Sequence, residues 1–183
     1  MFRFQKETIV SREWKAARWM AFAFLFIVLM PLFVIAHFNY PCSDDFSFAG
    51  ALYREISNGS TFNVVVKEAW REAAGFYKGW QGCYFNNVLS SFGFGTAVPE
   101  YYFIGAYLVI ISFIVANIVF FRAVTCRICR WNCEISWIFT VLITAMQILY
   151  VPYPSEAYFW YVGATAYTLT YSLLLFLGTA LIY

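Results

Sequence analysis

Charge is scarce in this chain: only 12% of its 183 residues are Asp, Glu, Lys or Arg, and the net charge is +2. Soluble domains carry roughly a quarter charged residues, so a soluble globular domain and a disordered tail are both excluded. So small a net charge gives no electrostatic case for a nucleic-acid partner. Histidine occurs once, at His37, and there is no Gly-rich phosphate loop or nucleophile–base triad. A soluble nucleotide-dependent mechanism therefore has no support. Ten glycines and five prolines are too few for a collagen-like fibre, and five cysteines too sparse for a disulfide scaffold. What is there instead is a chain 62% apolar, with aromatic residues making up 23% of the whole, and a mean hydropathy of +0.65. That is the composition of an integral membrane protein, rich in the residues that favour membrane–water boundaries.

Four charge-free segments are candidates to cross the bilayer, which takes about 20 helical residues. They divide the chain into a basic N-terminus (1–18), spans at 19–38, 101–121, 135–151 and 157–183, a large loop (39–100), a short loop (122–134) and a turn (152–156). Each span must be helical, because lipid offers the backbone no other hydrogen-bond partner. Pro31 removes one bond from the first, which membrane helices tolerate. The third is short and is expected to thin the bilayer or lean on Trp131 and Trp137. The 1–18 and 122–134 segments hold eight of the twelve cations, so four spans place both termini in the cytoplasm. Seven of the ten carboxylates then face outside. A basic start, an apolar run and Val34-Ile35-Ala36 also fit a cleaved signal peptide, but the run exceeds the usual ~7–15 residues. Tyr183 falls within an apolar run with no polar cap, so the expectation is that this is the N-terminal piece of a longer protein.

The 39–100 loop is far too long for a connector. Ser43 or Asp44 is placed to cap a helix running to about Ser57, with carboxylates in its first turn. Asn58-Gly59-Ser60 marks a turn. A second helix is expected from Thr61 or Asn63, where Val65, Ala69, Ala73, Phe76, Trp80 and Tyr84 form one apolar stripe. The expected architecture is thus all-α: four transmembrane helices and two amphipathic helices lying on the outer leaflet.

Chemistry-bearing residues cluster on the outer side. Asp44-Asp45 follows the first span; adjacent carboxylates near low-dielectric material raise one another's pKa, share a divalent cation (Mg or Mn), or supply a general base. The plainer alternative is that they only cap a helix. Glu156 opens the fourth span behind Ser155, either as a functional ionisable group or as a first-turn carboxylate. Trp160, Tyr161, Tyr167 and Tyr171, with Trp80 and Tyr84, form either a platform for sugar rings or a polyprenyl tail, or an interfacial belt. Gln81, Asn86 and Asn87 add hydrogen-bonding groups beside them. Cys42 and Cys83 share the outer compartment and are candidates for one disulfide. Cys126, Cys129 and Cys133 lack a fourth ligand and read as reduced thiols. His37 reads as an interfacial polar residue.

Ser43-Asp44-Asp45-Phe46, Trp80-Gln81-Gly82-Cys83-Tyr84-Phe85 and Pro154-Ser155-Glu156-Ala157-Tyr158-Phe159-Trp160-Tyr161, followed by Gly163-Ala164 and Tyr167-Thr168, resemble a bacterial family of polytopic membrane proteins. That family is of unassigned function and is similar to glucosyltransferase-type proteins of the GT-C architecture. Cys83 stands where the family usually has Arg or Thr. The resemblance implies a bacterial cytoplasmic-membrane enzyme that moves a sugar from a polyprenyl-phosphate donor to an envelope glycan or lipid acceptor. It further implies that Asp44 and Asp45 supply the base or metal contact, and that Trp80, Gln81, Glu156, Trp160, Tyr161 and Tyr167 line the substrate cleft. The resemblance covers only the front of a family member, so the piece alone is expected to be inactive. The competing readings are a transporter or flippase subunit, thin because no charged residue lies deep in a span, and a non-catalytic membrane protein.

Overall fold

In the computed structural model the described residues are 2–80 and 82–183, with side chains from 12 onward except Phe94. All regular structure among them is helical. The helices are α1 (Phe2–His37), α2 (Asp45–Phe48), α3 (Gly50–Ser57), α4 (Phe62–Gly79), α5 (Tyr84–Ser91), α6 (Phe94–Ala97), α7 (Phe103–Ala123), α8 (Cys133–Leu149) and α9 (Tyr161–Ile182). A 3₁₀ turn at Pro99–Tyr101 leads into α7, and π turns occupy Val124–Ile128, Ser155–Phe159 and, inside α9, Thr165–Leu169.

Among the described residues, three stretches are long and apolar enough to cross a membrane: Arg12–His37, Pro99–Ile128 and Tyr161–Ile182. This makes the chain a multi-spanning helical membrane protein. The expected third span at 135–151 corresponds to α8, an apolar helix of 17 residues that is shorter than the other three stretches. At 1.5 Å per residue it reaches about 26 Å, just under the ~30 Å hydrocarbon core. Pro31 lies within α1 without ending it.

The chain forms two compact units. The first comprises Met1–Phe33, Phe113–Pro152 and Ser172–Tyr183. Small and hydroxylated residues share its interior with larger apolar ones such as Phe113, Val141 and Ile148: Ala21 on α1, Ala116 on α7, Ser136, Thr140, Thr144 and Ala145 on α8, and Thr179 on α9 are all buried. Close approach through small side chains is the packing mode expected where lipid, not water, is the alternative surroundings. One end of this unit is bound by charge. Arg18 pairs with Glu134 at 3.1 Å, and Arg122 donates to Ser136 Oγ at 2.7 Å with its guanidinium 4.2 Å from the Trp137 ring. Arg127 lies 4.8 Å from the ring of Tyr183. Asn132 caps α8 by accepting the Glu134 N–H at 2.8 Å.

The second unit comprises Val34–Ser112 and Tyr153–Tyr171. The anticipated first outer helix is present but broken at Ala49 into α2 and α3. It ends at the anticipated turn in a Schellman motif: Ser60 N–H bonds Glu55 O, Gly59 N–H bonds Ile56 O, and Gly59 takes φ +68°. Thr61 precedes α4, as the sequence predicts. The stripe on α4 is covered in part by the protein itself. Val65 and Ala69 pack against Leu52 and Ala97 in a small core that also takes Ile56, Phe92 and Val98. That part of the apolar face is covered by protein contacts, while Phe62, Val64, Trp70 and Tyr77 of α4 stay exposed. α4 also stops at Gly79, so Trp80 and Tyr84 leave the stripe. The weak helix formers Gly79 and Gly82 permit this, and α5 restarts at Tyr84, where its ring meets Tyr77 at 5.9 Å.

Candidate functional site

The second unit is held together around one carboxylate. Asp45, in the first turn of α2, is 1% exposed. Its Oδ2 accepts the Tyr102 hydroxyl at 2.5 Å and the Cys42 N–H at 3.1 Å; its Oδ1 accepts the Val162 N–H at 3.1 Å. Locally this arises because Cys42-Ser43-Asp44-Asp45 closes a turn, with the Asp45 N–H bonded to Cys42 O and Ser43 at φ +50°. The side chain then reaches back to the residue three before it, as in a capping box.

The distant partners follow from a break in the chain at Trp160, where ψ is 110° and the π turn at 155–159 gives way to α9. A helix start leaves N–H groups without acceptors. Here Tyr161 N–H donates to the Tyr102 hydroxyl at 2.9 Å and Val162 N–H to Asp45. Tyr102 and Asp45 therefore cap α9 from elsewhere in the chain. Asn39 adds a bond to Phe159 O at 2.5 Å. Burial pushes the Asp45 carboxyl above its ordinary value, against the hydrogen bonds that hold it down.

Asp44, one residue earlier, is exposed and makes no side-chain cap bond. The twinned acid is thus divided: Asp45 is a structural anchor and Asp44 an open carboxylate. A shared cation does not fit this arrangement. Asp45 presents its oxygens to O–H and N–H donors, and no group of three His, Cys, Asp or Glu side chains suited to a metal occurs among the described residues.

The remaining site residues are not gathered into one cleft. Tyr161 turns inward, its ring against Gly105, where a Cβ would come within 2.8 Å, and its hydroxyl donates to Leu89 O at 3.3 Å. Trp160 folds over Gly163. Glu156 is exposed, and Tyr167 is 65% exposed. Trp80 is 72% exposed and borders a shallow depression of about 560 Å³ with Arg71, Glu72, Gly75, Phe76 and Gly79. Gln81 lies outside the described residues. Asn86 accepts the Thr165 hydroxyl at 2.9 Å.

The expected Cys42–Cys83 disulfide is absent; both are free, exposed thiols, Cys42 committed to the Asp45 turn and Cys83 to the start of α5. Burial and the neighbouring Asp45 charge push the Cys42 thiol up. Less thiolate means slower alkylation. A membrane-impermeant maleimide should therefore label Cys42 more slowly than a free model thiol near neutral pH, the gap narrowing as pH rises; equal rates throughout would contradict the arrangement. Tyr102 and Asn39 were the partners that sequence reasoning missed, and no local pattern around either marks it.

No protein-family model, curated protein or solved structure matches the chain.

Proposed function

We propose that this chain belongs to a membrane glycosyltransferase that moves a sugar from a polyprenyl-phosphate donor to a cell-envelope acceptor, with Asp44 as the general base. The observation that carries the reading is the division of labour in the acidic pair: a buried, fully engaged Asp45 holds an exposed carboxylate next to it. In the reaction Asp44 takes the proton of an acceptor hydroxyl as its oxygen bonds to the anomeric carbon. The bond from that carbon to the phosphate oxygen breaks, and the polyprenyl phosphate leaves with the electron pair. The depression beside Trp80 supports a sugar contact, since an aromatic face flanked by Arg71 and Glu72 suits a ring that is apolar on one side and hydroxylated at its edge.

The membrane arrangement belongs to the same proposal. α8 is the remaining crossing, giving four, and the cation-rich end of the first unit lies in the cytoplasm. That end gathers Arg18, Glu134, Arg122 and Arg127 with Tyr183, consistent with helices running alternately up and down. The lipid bilayer of a bacterial cytoplasmic membrane is then the setting, and the donor lipid and an envelope glycan or lipid the partners. The test is transfer itself. Membranes carrying the intact protein, supplied with a polyprenyl-phosphate sugar labelled in the sugar, should pass label to an envelope acceptor. Label no higher than in membranes lacking the protein would refute the reading.

A further inference from the structure

The second unit contains a cavity of about 190 Å³ where α7 begins. Phe92, Thr96, Tyr102 and Tyr161 wall it, and Ile104 and Leu108 form part of its lining one helical turn apart. Those two are 44% and 61% exposed, and Ile111 continues the same stripe at 47%. On a helix of crossing length, such a stripe faces hydrocarbon. Leu108 stands nine residues into Pro99–Ile128, about 13 Å from its end at 1.5 Å per residue. At that depth the neighbours of an opening are lipid tails.

The size and chemistry of the space agree. A cavity of roughly 150 Å³ already accommodates benzene, so this one takes a short run of methylenes. Empty apolar space forfeits dispersion contacts on every wall. The Tyr102 hydroxyl is already engaged with Asp45 and the Tyr161 N–H and the Tyr161 hydroxyl with Leu89 O, which leaves Thr96 and the half-exposed Tyr101 as the polar side chains of the lining. A sugar ring placed here would bury hydroxyls without partners.

We propose that the cavity holds the acyl chain of a bilayer phospholipid, entering sideways past Ile104 and Leu108. The inference requires residence in a bilayer and does not depend on sugar transfer. A seated chain lies against the ring of Tyr102, and so braces the residue that caps α9.

The test uses the full chain in phosphatidylcholine–phosphatidylglycerol vesicles containing a phospholipid with a diazirine halfway along one acyl chain. After irradiation, mass spectrometry should find label concentrated within residues 92–108, above that on the exposed Leu177. Thr96→Phe, which fills the space, should abolish the excess while leaving Leu177 labelling unchanged. Ile104→Trp, at an exposed position outside the packed interior, should do the same by closing the mouth, and covers the case in which the first variant fails to fold. Label spread evenly over the lipid-facing residues, or an excess that survives both substitutions, would overturn the proposal.

Discussion

Asp44→Asn should abolish sugar transfer while leaving the amount and the melting temperature of the protein unchanged. A positioned general base contributes about 10²- to 10⁴-fold to rate, and an amide cannot take the acceptor's proton. The absence of a stability effect follows from the surroundings: Asp44 is exposed and its side chain caps nothing, so the substitution leaves no buried donor unpaired. The check is the transfer assay on membranes matched for protein content. Activity within a few-fold of the unsubstituted protein would remove Asp44 from the mechanism.

Asp45→Asn should behave in the opposite manner, costing about 2–4 kcal/mol of stability and activity only through misfolding. An amide can still accept the Val162 N–H. Its NH₂ group, however, would face the Cys42 N–H, a donor left without its acceptor, and would force the Tyr102 hydroxyl to give its proton to Phe159 O, 3.2 Å away, instead of to Asp45. The pH dependence carries a sign. Burial raises the Asp45 carboxyl, so the folded state holds that proton more tightly than the unfolded chain. Its contribution is therefore full below the ordinary carboxylate value and declines as pH rises through the raised one. Melting temperatures in detergent from about pH 4 to about pH 8 should show that decline in the unsubstituted protein and not in Asp45→Asn. Parallel profiles would contradict the assignment.

The pair illustrates where sequence reasoning reaches and where it stops. The long apolar runs announce α1, α7 and α9, because hydrocarbon admits little besides helices. Asn58-Gly59-Ser60 announces its turn because a left-handed residue strongly favours glycine. The apolar stripe on α4 was legible as a stripe, but what covers it was not: Leu52 and Ala97 meet it only after the chain has folded back. The same holds for the acidic pair. Spacing alone cannot say which carboxylate is buried, since the answer rests on Tyr102, 57 residues away, and Val162, 117 residues away. The break at Trp160 was equally hidden, and without it α9 would have no free N–H groups for Asp45 to meet.

The π turn inside α9 makes that helix sensitive to length. Such a turn carries one residue more than an α-helical turn. Deleting Ala166 would let the helix regain regular pitch, rotating everything toward Trp160 by about 100° around the axis and shifting it by about 1.5 Å. The Tyr161 ring would swing off Gly105 and the first turn would lose its register with Asp45. Evolutionary insertions and deletions should accordingly accumulate in the loops and spare this stretch.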